Sequence, residues 1–216
     1  MSAVKLYNYF RSSASWRVRI GLALKGIPYE YVPVNLLKGE QRTPEYRAVN
    51  PLGAVPVLEI DGLKLAESMA ILQYLEETRP TPALLPSSPA DRARVRRIAE
   101  AFNSGTQPLQ NLRVLKRLES QFGADLAATN AWAGHFITEV FDGLEPLVIE
   151  TAGMCCFGDQ VTLADVGLVP QMASVRRFGL DPSRWATLAR IEKHLVSLPA
   201  FQQADHMRQP DAPKAG

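Results

Sequence analysis

The sequence predicts an α/β domain followed by an all-helical domain, and three observations carry that expectation. The first part reads strand–helix–strand and then, after a loop region, strand–strand–helix. A proline-rich stretch, "RPTPALLPSSPAD" from Arg79, then breaks every periodicity. Beyond it only helical spacing recurs. A chain of 216 residues suits one large domain or two small ones. The expected division is 1–80 for the α/β domain, 81–87 for a semi-rigid linker and 88–216 for the helical domain.

The elements follow in order. Val4 to Phe10 is rich in β-branched and aromatic residues and reads as a strand. From Ser15 the period changes: Trp16, Ile20, Ala23 and Leu24 share one face of a helix, and Gly26 stops it. "YEYVPVN" from Tyr29 is a second strand. Pro33 inside it cannot donate to a ladder, which places this strand at an edge. The helical crossover between the two strands implies that they pair in parallel. Val57 to Ile60 and Leu63 to Ala66 are short strands around Asp61-Gly62, a two-residue hairpin signal. A helix runs from Ser68 to Thr78. The next opens with Ser88 as N-cap, Pro89 at the first helical position and Asp91 in the first turn. Later helices are interrupted at Gly105, Pro108, Gly123 and the loop "TAGMCCFGDQ" from Thr151. Thr162-x-x-Asp165 reads as a capping box with Asp in place of Glu. The tail "RQPDAPKAG" from Arg208 is polar and expected to be poorly ordered at its end.

Bulk properties narrow the function. A hydrophobic fraction of 46% and a charged fraction of 21% are ordinary for a globular protein. A formal net charge of +2 argues for neither nucleic acid nor membrane partners. No apolar run approaches the ~20 residues of a membrane-spanning helix. The start lacks a cationic segment followed by a long apolar run, so no secretory signal is expected. Cys155 and Cys156 are adjacent and imply no disulfide framework, which sets a reduced, cytoplasmic expectation. His135, His194 and His206 lack metal-ligand spacing, and no metal is expected.

The most informative stretch is "YFRSSASWRVRIGLALKG" from Tyr9. It places Ser12, Ser13 and Ser15 at one strand-to-helix junction, where a single cap would suffice. An α/β unit whose second half opens on Val55-Pro56 looks like a thioredoxin-type fold. In that fold the turn after the first strand is where thiol chemistry takes place. A redox member would show Cys-x-x-Cys there. This chain shows hydroxyls instead, so a sulfur at that position must come from a ligand. Read alone, the three serines are equally well explained as caps.

"RSSASWRVRIGLALKGIPYEYVPVNL", "NPLGAVPVLEIDG", "AESMAILQYLEE", "QPLQNLRVLK", "GDQVTLADVGLVPQ" and "RFGLDPSRW" together resemble the zeta class of glutathione transferases, its maleylacetoacetate isomerases most closely. The resemblance spans roughly residues 4 to 211. It implies the glutathione transferase fold: a thioredoxin-like glutathione-binding domain and an all-α substrate-binding domain. It implies glutathione as cofactor and a glutathione-dependent cis–trans isomerase that converts maleylacetoacetate to fumarylacetoacetate in the catabolism of phenylalanine and tyrosine. A side transferase activity, a cytoplasmic homodimer and no nucleic-acid or membrane partner belong to the same expectation. The family often has Cys where this chain has Ala14, which puts cysteine-dependent side activities, reductive dehalogenation among them, in doubt.

Carried over residue by residue, the resemblance makes Ser12 the hydroxyl that faces the sulfur, with Ser13 and Ser15 shaping and capping the turn and Arg11 beside it. Ala14, Trp16 and Arg17 complete the glutathione-binding turn. Val55, before a cis Pro56, presents its backbone to the cysteinyl part. Glu67 and Ser68 suit the γ-glutamyl end, and Gln41, Gln107 and Asn111 match further glutathione contacts. For the anionic, unsaturated diketo acid, Arg11, Arg113 and Arg177 are the expected carboxylate binders, while Arg176 reads as part of a solvated face. Maleylpyruvate isomerase is the alternative that Arg113 favours. A non-enzymatic glutathione-binding or ligand-carrying protein is the alternative from another class.

Overall fold

A computed structural model describes residues 4–214. Contacts group the chain into two units. The first runs to Ala83 and takes back the segment from Leu198 on; the second is Leu84–Ser197. This grouping differs from the linear division expected above, because the chain returns to its first unit after the last long helix.

In the first unit the elements are β1 (Lys5–Asn8), α1 (Ser13–Leu24), β2 (Glu30–Pro33), a short 3-10 turn at Glu40–Arg42, α2 (Pro44–Val49), β3 (Val57–Ile60), β4 (Leu63–Ala66) and α3 (Ser68–Thr78). The sheet order is β2-β1-β3-β4. β1 and β2 pair in parallel; β3 is antiparallel to both β1 and β4. Pro33 does end an edge strand. The β3–β4 turn uses φ of 52° at Asp61 and 77° at Gly62, both left-handed, as a twisted two-residue hairpin requires. Leu6, Val18, Leu22, Leu58, Ile71 and Leu75 form the core between the sheet and its helices.

Three features depart from the sequence reading. The loop region before β3 contains α2, a helix of only six residues capped by Thr43 with Pro44 in its first turn. α1 is buried from Ser15 to Leu22, not along one face. The cause is α9 (Pro199–Ala204), which covers the side of α1 that the periodicity leaves to solvent. The tail is also tied down as far as Asp211: Gln209 is buried, and Asp211 accepts the Phe10 N–H at 3.0 Å. Its last two residues, Ala215 and Gly216, lie outside the described residues.

The second unit contains α4 (Pro89–Glu100), a π-helical turn at Ala101–Thr106, α5 (Leu112–Phe122), α6 (Leu126–Ile149), α7 (Leu163–Arg177) and α8 (Ala186–Leu195). No strand is present in it among the described residues, only an isolated bridge between Ala152 and Gly158. No described helix is long and apolar enough to cross a membrane. Ser88 caps α4 as expected, accepting the Asp91 N–H at 3.1 Å. α7 is the central helix, buried without a break from Leu163 to Met172. Its capping box is present: the Asp165 carboxylate accepts the Thr162 N–H at 2.8 Å, the Thr162 hydroxyl at 3.0 Å and the Cys156 N–H at 2.8 Å. Asp165 therefore joins the helix start to the cysteine loop inside the core.

Removing that carboxylate strands several buried donors. Asp165→Ala is expected to cost about 2 kcal/mol or more in chemical unfolding, while turnover per folded molecule stays near that of the parent. A variant with parental stability and depressed turnover would contradict the structural role.

Candidate active site

The sheet topology brings the first-unit candidates to one end. β1 and β2 are parallel and finish side by side, with Asn8 opposite Pro33. β3 is antiparallel to β1, so it begins where β1 ends, with Val57 opposite Tyr7. β4 ends there in turn, with Ala66 opposite Val57. The serine turn, the segment carrying Gln41, the Val55–Pro56 step and Glu67–Ser68 all leave the sheet at that end. The Val55–Pro56 peptide is cis. At Gly53, φ is +60° and a Cβ would stand 2.9 Å from the Gln41 carbonyl oxygen, so the loop before Val55 closes directly on the Gln41 segment. Two side chains not anticipated from sequence hold this loop: the Tyr46 hydroxyl at 2.8 Å and the Asn50 amide at 2.9 Å both donate to the Ala54 carbonyl.

The serine turn differs in one respect from the expectation. The cap of α1 is Ser12 itself, whose Oγ accepts the Ser15 N–H at 3.2 Å; neither Ser13 nor Ser15 caps. Ser13 is the first helical residue, and Ser13 and Ala14 are half-buried. Ser15 is fully buried with an unpartnered hydroxyl. A serine hydroxyl has two lone pairs and one proton. Accepting from Ser15 leaves the Ser12 proton available to an anion. The helix terminus adds positive potential at the same place. Arg11 is exposed beside the turn. Trp16 and Arg17 are 5% and 1% exposed, and the Trp16 ring lies against His206 with centroids 4.5 Å apart.

Glutathione is a tripeptide with two carboxylates, one ammonium and a thiol, and unpartnered groups at this end suit its parts. Ser68 opens the eleven-residue α3 and is 2% exposed, yet its Oγ has no hydrogen-bond partner. Glu67 is held at φ 67°, a strained conformation for a residue with a side chain, and it is exposed next to that hydroxyl. A helix start with a free hydroxyl suits a carboxylate, and the adjacent Glu67 suits an ammonium. Gln41 offers a buried Oε1 that lacks a donor. The chain's own two thiols offer no substitute for a ligand sulfur: Cys155 and Cys156 are buried in the second unit, and burial pushes the Cys155 thiol up to about 12.

In the second unit the structure gives the expected residues local roles. Gln107 follows the π-helical turn, and Asn111 caps α5 by accepting the Arg113 N–H at 3.1 Å. Arg113 and Arg177 are exposed, Arg177 with its guanidinium 5.1 Å from the Phe178 ring centre. Arg176 is engaged by Glu192 through two bonds of 2.6 Å. The π-helical turn is braced by a buried pair that sequence reading missed. Gln110 donates to Gln171 at 2.5 Å, and Gln171 donates to the Phe102 carbonyl at 3.2 Å. Neither amide carries a periodic signal that separates it from a surface residue.

Arg19 was also missed, although a charge three residues after Trp16 on an apolar face was a usable signal. Its guanidinium is fully buried and donates to Asn8 Oδ1 at 3.0 Å and to the carbonyls of Tyr9 at 3.4 Å, Phe10 at 2.9 Å and Ala204 at 3.2 Å.

A family model described as the glutathione S-transferase N-terminal domain matches residues 2–77. Maleylacetoacetate isomerase of Mus musculus is 51% identical over 212 residues, covering 96% of this chain and 94% of its own length. The chain belongs to the zeta class of glutathione transferases. Within the class, a holo maleylpyruvate isomerase structure superposes with a TM-score of 0.95 at 43% identity, covering 97% of this chain and all of its own. The maleylacetoacetate isomerase of Anaeromyxobacter dehalogenans, solved with dicarboxyethyl glutathione and citrate in its active site, gives a TM-score of 0.89 at 48% identity, with 98% of each chain covered. Zeta-class membership makes the chain a glutathione-dependent enzyme, and the two-unit fold is the glutathione transferase fold.

Two outcomes follow from the turn. Ser12→Ala removes a cap and a hydroxyl whose proton is available to an anion. It is expected to lower turnover by about 10²-fold, to cost about 1 kcal/mol of stability and to raise the pKa of the bound glutathione thiol. An unmoved thiol pKa, read from thiolate absorbance, would pass the role to another hydroxyl. His206 supplies a pH outcome. Burial draws its imidazole below the usual range; Asp205 opposes this, and Arg19 and Arg11 add to it. The unfolded chain then binds the proton more readily than the folded one. Stability is full above about pH 6.5 and falls as pH drops below it. Thermal unfolding of His206→Gln across that range should show a shallower acid slope; an unchanged slope would count against His206.

Proposed function

We propose that the protein is a glutathione-dependent cis–trans isomerase that converts maleylacetoacetate to fumarylacetoacetate. We further assign it to the cytoplasmic catabolism of phenylalanine and tyrosine, as a homodimer with side transferase activity. The observation that supports this reading best is the ligand of a relative: a maleylacetoacetate isomerase 48% identical to this chain binds dicarboxyethyl glutathione and citrate. A site so closely related takes glutathione together with carboxylates, as a diketo acid requires.

Bound glutathione supplies a thiolate that adds reversibly to the cis double bond, letting the resulting single bond turn before the thiolate departs. A free thiol titrates near ~8.5, so little of it is ionised at neutral pH. Lowering that value by two units takes about 2.7 kcal/mol. The Ser12 hydroxyl donates to the anion, and the α1 terminus adds its potential; together they are of the required size. Ser68 and Glu67 orient the γ-glutamyl end. Arg11 lies beside the sulfur position, and Arg113 and Arg177 provide planar donors for the substrate carboxylates. Among the described residues the Arg11 and Arg113 side chains have no ion-pair or hydrogen-bond partner, which leaves both to a ligand.

Maleylpyruvate isomerase is the second reading, favoured by the holo structure with a TM-score of 0.95 and by Arg113. The test is kcat/KM for both maleyl keto acids measured side by side in the parent and in Arg113→Ala. Maleylacetoacetate is expected to be the better substrate, and Arg113→Ala to lower its kcat/KM by about 10- to 100-fold, or about 1.4–2.7 kcal/mol. Calorimetric glutathione binding should stay near the parent value. A preference for maleylpyruvate, lost selectively in Arg113→Ala, would replace the first reading with the second. Retention on immobilised glutathione without turnover of either acid would contradict both. Light scattering showing a monomer would contradict the dimer.

A further inference from the structure

The segment from Leu198 on does more than cover α1. Its Asp211 reaches 201 positions back along the chain to the turn that carries Ser12. Asp211 Oδ2 accepts the Phe10 N–H at 3.0 Å, and Oδ1 accepts the Tyr31 hydroxyl. The Phe10 carbonyl accepts Arg19 Nη2 at 2.9 Å, and the Tyr9 carbonyl accepts both Arg19 Nη1 at 3.4 Å and the Ser12 N–H at 3.0 Å. Both sides of Phe10 are thus held by charged groups from outside the turn, two residues before the cap.

We propose that Asp211 is a positioning residue for the turn that presents Ser12 to the ligand sulfur. The inference rests on the reading of Ser12 given above. The direction of the Ser12 proton depends on backbone angles. Its φ of −68° and ψ of 117° place Oγ where it accepts from Ser15, which leaves the O–H pointing elsewhere. A carboxylate that accepts an amide N–H makes a charge-assisted bond stronger than a neutral one. It fixes the chain at Phe10, so the Ser12 hydroxyl does not have to be ordered when the sulfur becomes anionic. Tyr31 keeps the carboxylate in register. Burial, and next the bond to Asp211, raise the Tyr31 phenol above its ordinary range, so it stays the donor at working pH. Gln209, which donates to the carbonyls of Gln203 at 3.1 Å and Asp205 at 2.7 Å, folds the segment so that Asp211 arrives at Phe10.

The test compares Asp211→Ala, Asp211→Asn and Tyr31→Phe with Ser12→Ala, and uses Asp165→Ala as a destabilised control from the second unit. Two readouts go beyond turnover: hydrogen exchange of the Tyr9–Ser15 backbone without glutathione, and the thiol pKa of bound glutathione from ultraviolet thiolate absorbance. Asp211→Ala is expected to speed exchange in that stretch by about tenfold or more. It should raise the thiol pKa by about half a unit or more, with glutathione affinity changed by less than about threefold. Asp211→Asn keeps one acceptor and should fall between Ala and the parent. Asp165→Ala should move neither readout. A thiol pKa that rises in Ser12→Ala but stays at the parent value in the Asp211 and Tyr31 variants overturns the inference and keeps Ser12. A pKa that rises in Asp211→Ala but not in Ser12→Ala keeps the positioning role and removes Ser12 from the sulfur. Should Asp211→Ala fail to fold, Asp211→Asn and Tyr31→Phe decide by the same criteria.

Discussion

The Arg19 guanidinium sits with no solvent contact behind the serine turn, and the geometry of the first unit is arranged around satisfying it. A buried charge costs several kcal/mol when its donors lack partners, so it tolerates only arrangements that supply acceptors on every side. Here the acceptors come from the end of β1, from two carbonyls of the turn and from the last residue of α9. Strand, turn and terminal helix must all be in place at once. The site therefore depends on a segment far from it in sequence, and the return of the chain to its first unit is a structural requirement for Arg19.

The turn leaves one hydroxyl with the capacity for two uses. As a cap, Ser12 satisfies the Ser15 N–H, one of the helix-start donors that lack an intrahelical partner. As a donor, it can still give its proton to an anion, because accepting and donating use different parts of the group. A cysteine at this position could do neither as well, being a weak acceptor and a weak donor. With Ala at position 14 and both cysteines buried in the second unit, the chain contributes hydroxyls and positive potential, and the sulfur chemistry is left to glutathione.

What was legible in the sequence was local. Asp61-Gly62, Ser88 with Pro89, Thr162 with Asp165, Pro33 at an edge and the cis Val55–Pro56 step each concern residues close in the chain, and each appears where expected. The serine turn was recognisable, but not which serine caps it, since three neighbouring hydroxyls obey the same propensity. The features that were not legible depend on distant partners. The full burial of α1 needs α9. The start of α8 is capped by Glu145 from α6, at 2.7 Å to Thr187 N and 3.1 Å to Leu188 N, and not by a residue of its own. Tyr46 and Asn50 look like ordinary loop residues until the Ala54 carbonyl is brought to them. Gln110 and Gln171 lie on separate segments that meet only in the folded core.

A catalytic role for glutathione on a cis double bond requires that it be released unchanged. The most direct measurement follows maleylacetoacetate by NMR with glutathione present in a small fraction of the substrate concentration. Complete conversion to the trans isomer, a rate proportional to bound glutathione, and full recovery of free glutathione at the end are expected. Conversion that halts after one equivalent of glutathione with a stable conjugate accumulating, or that proceeds equally without glutathione, would contradict that role.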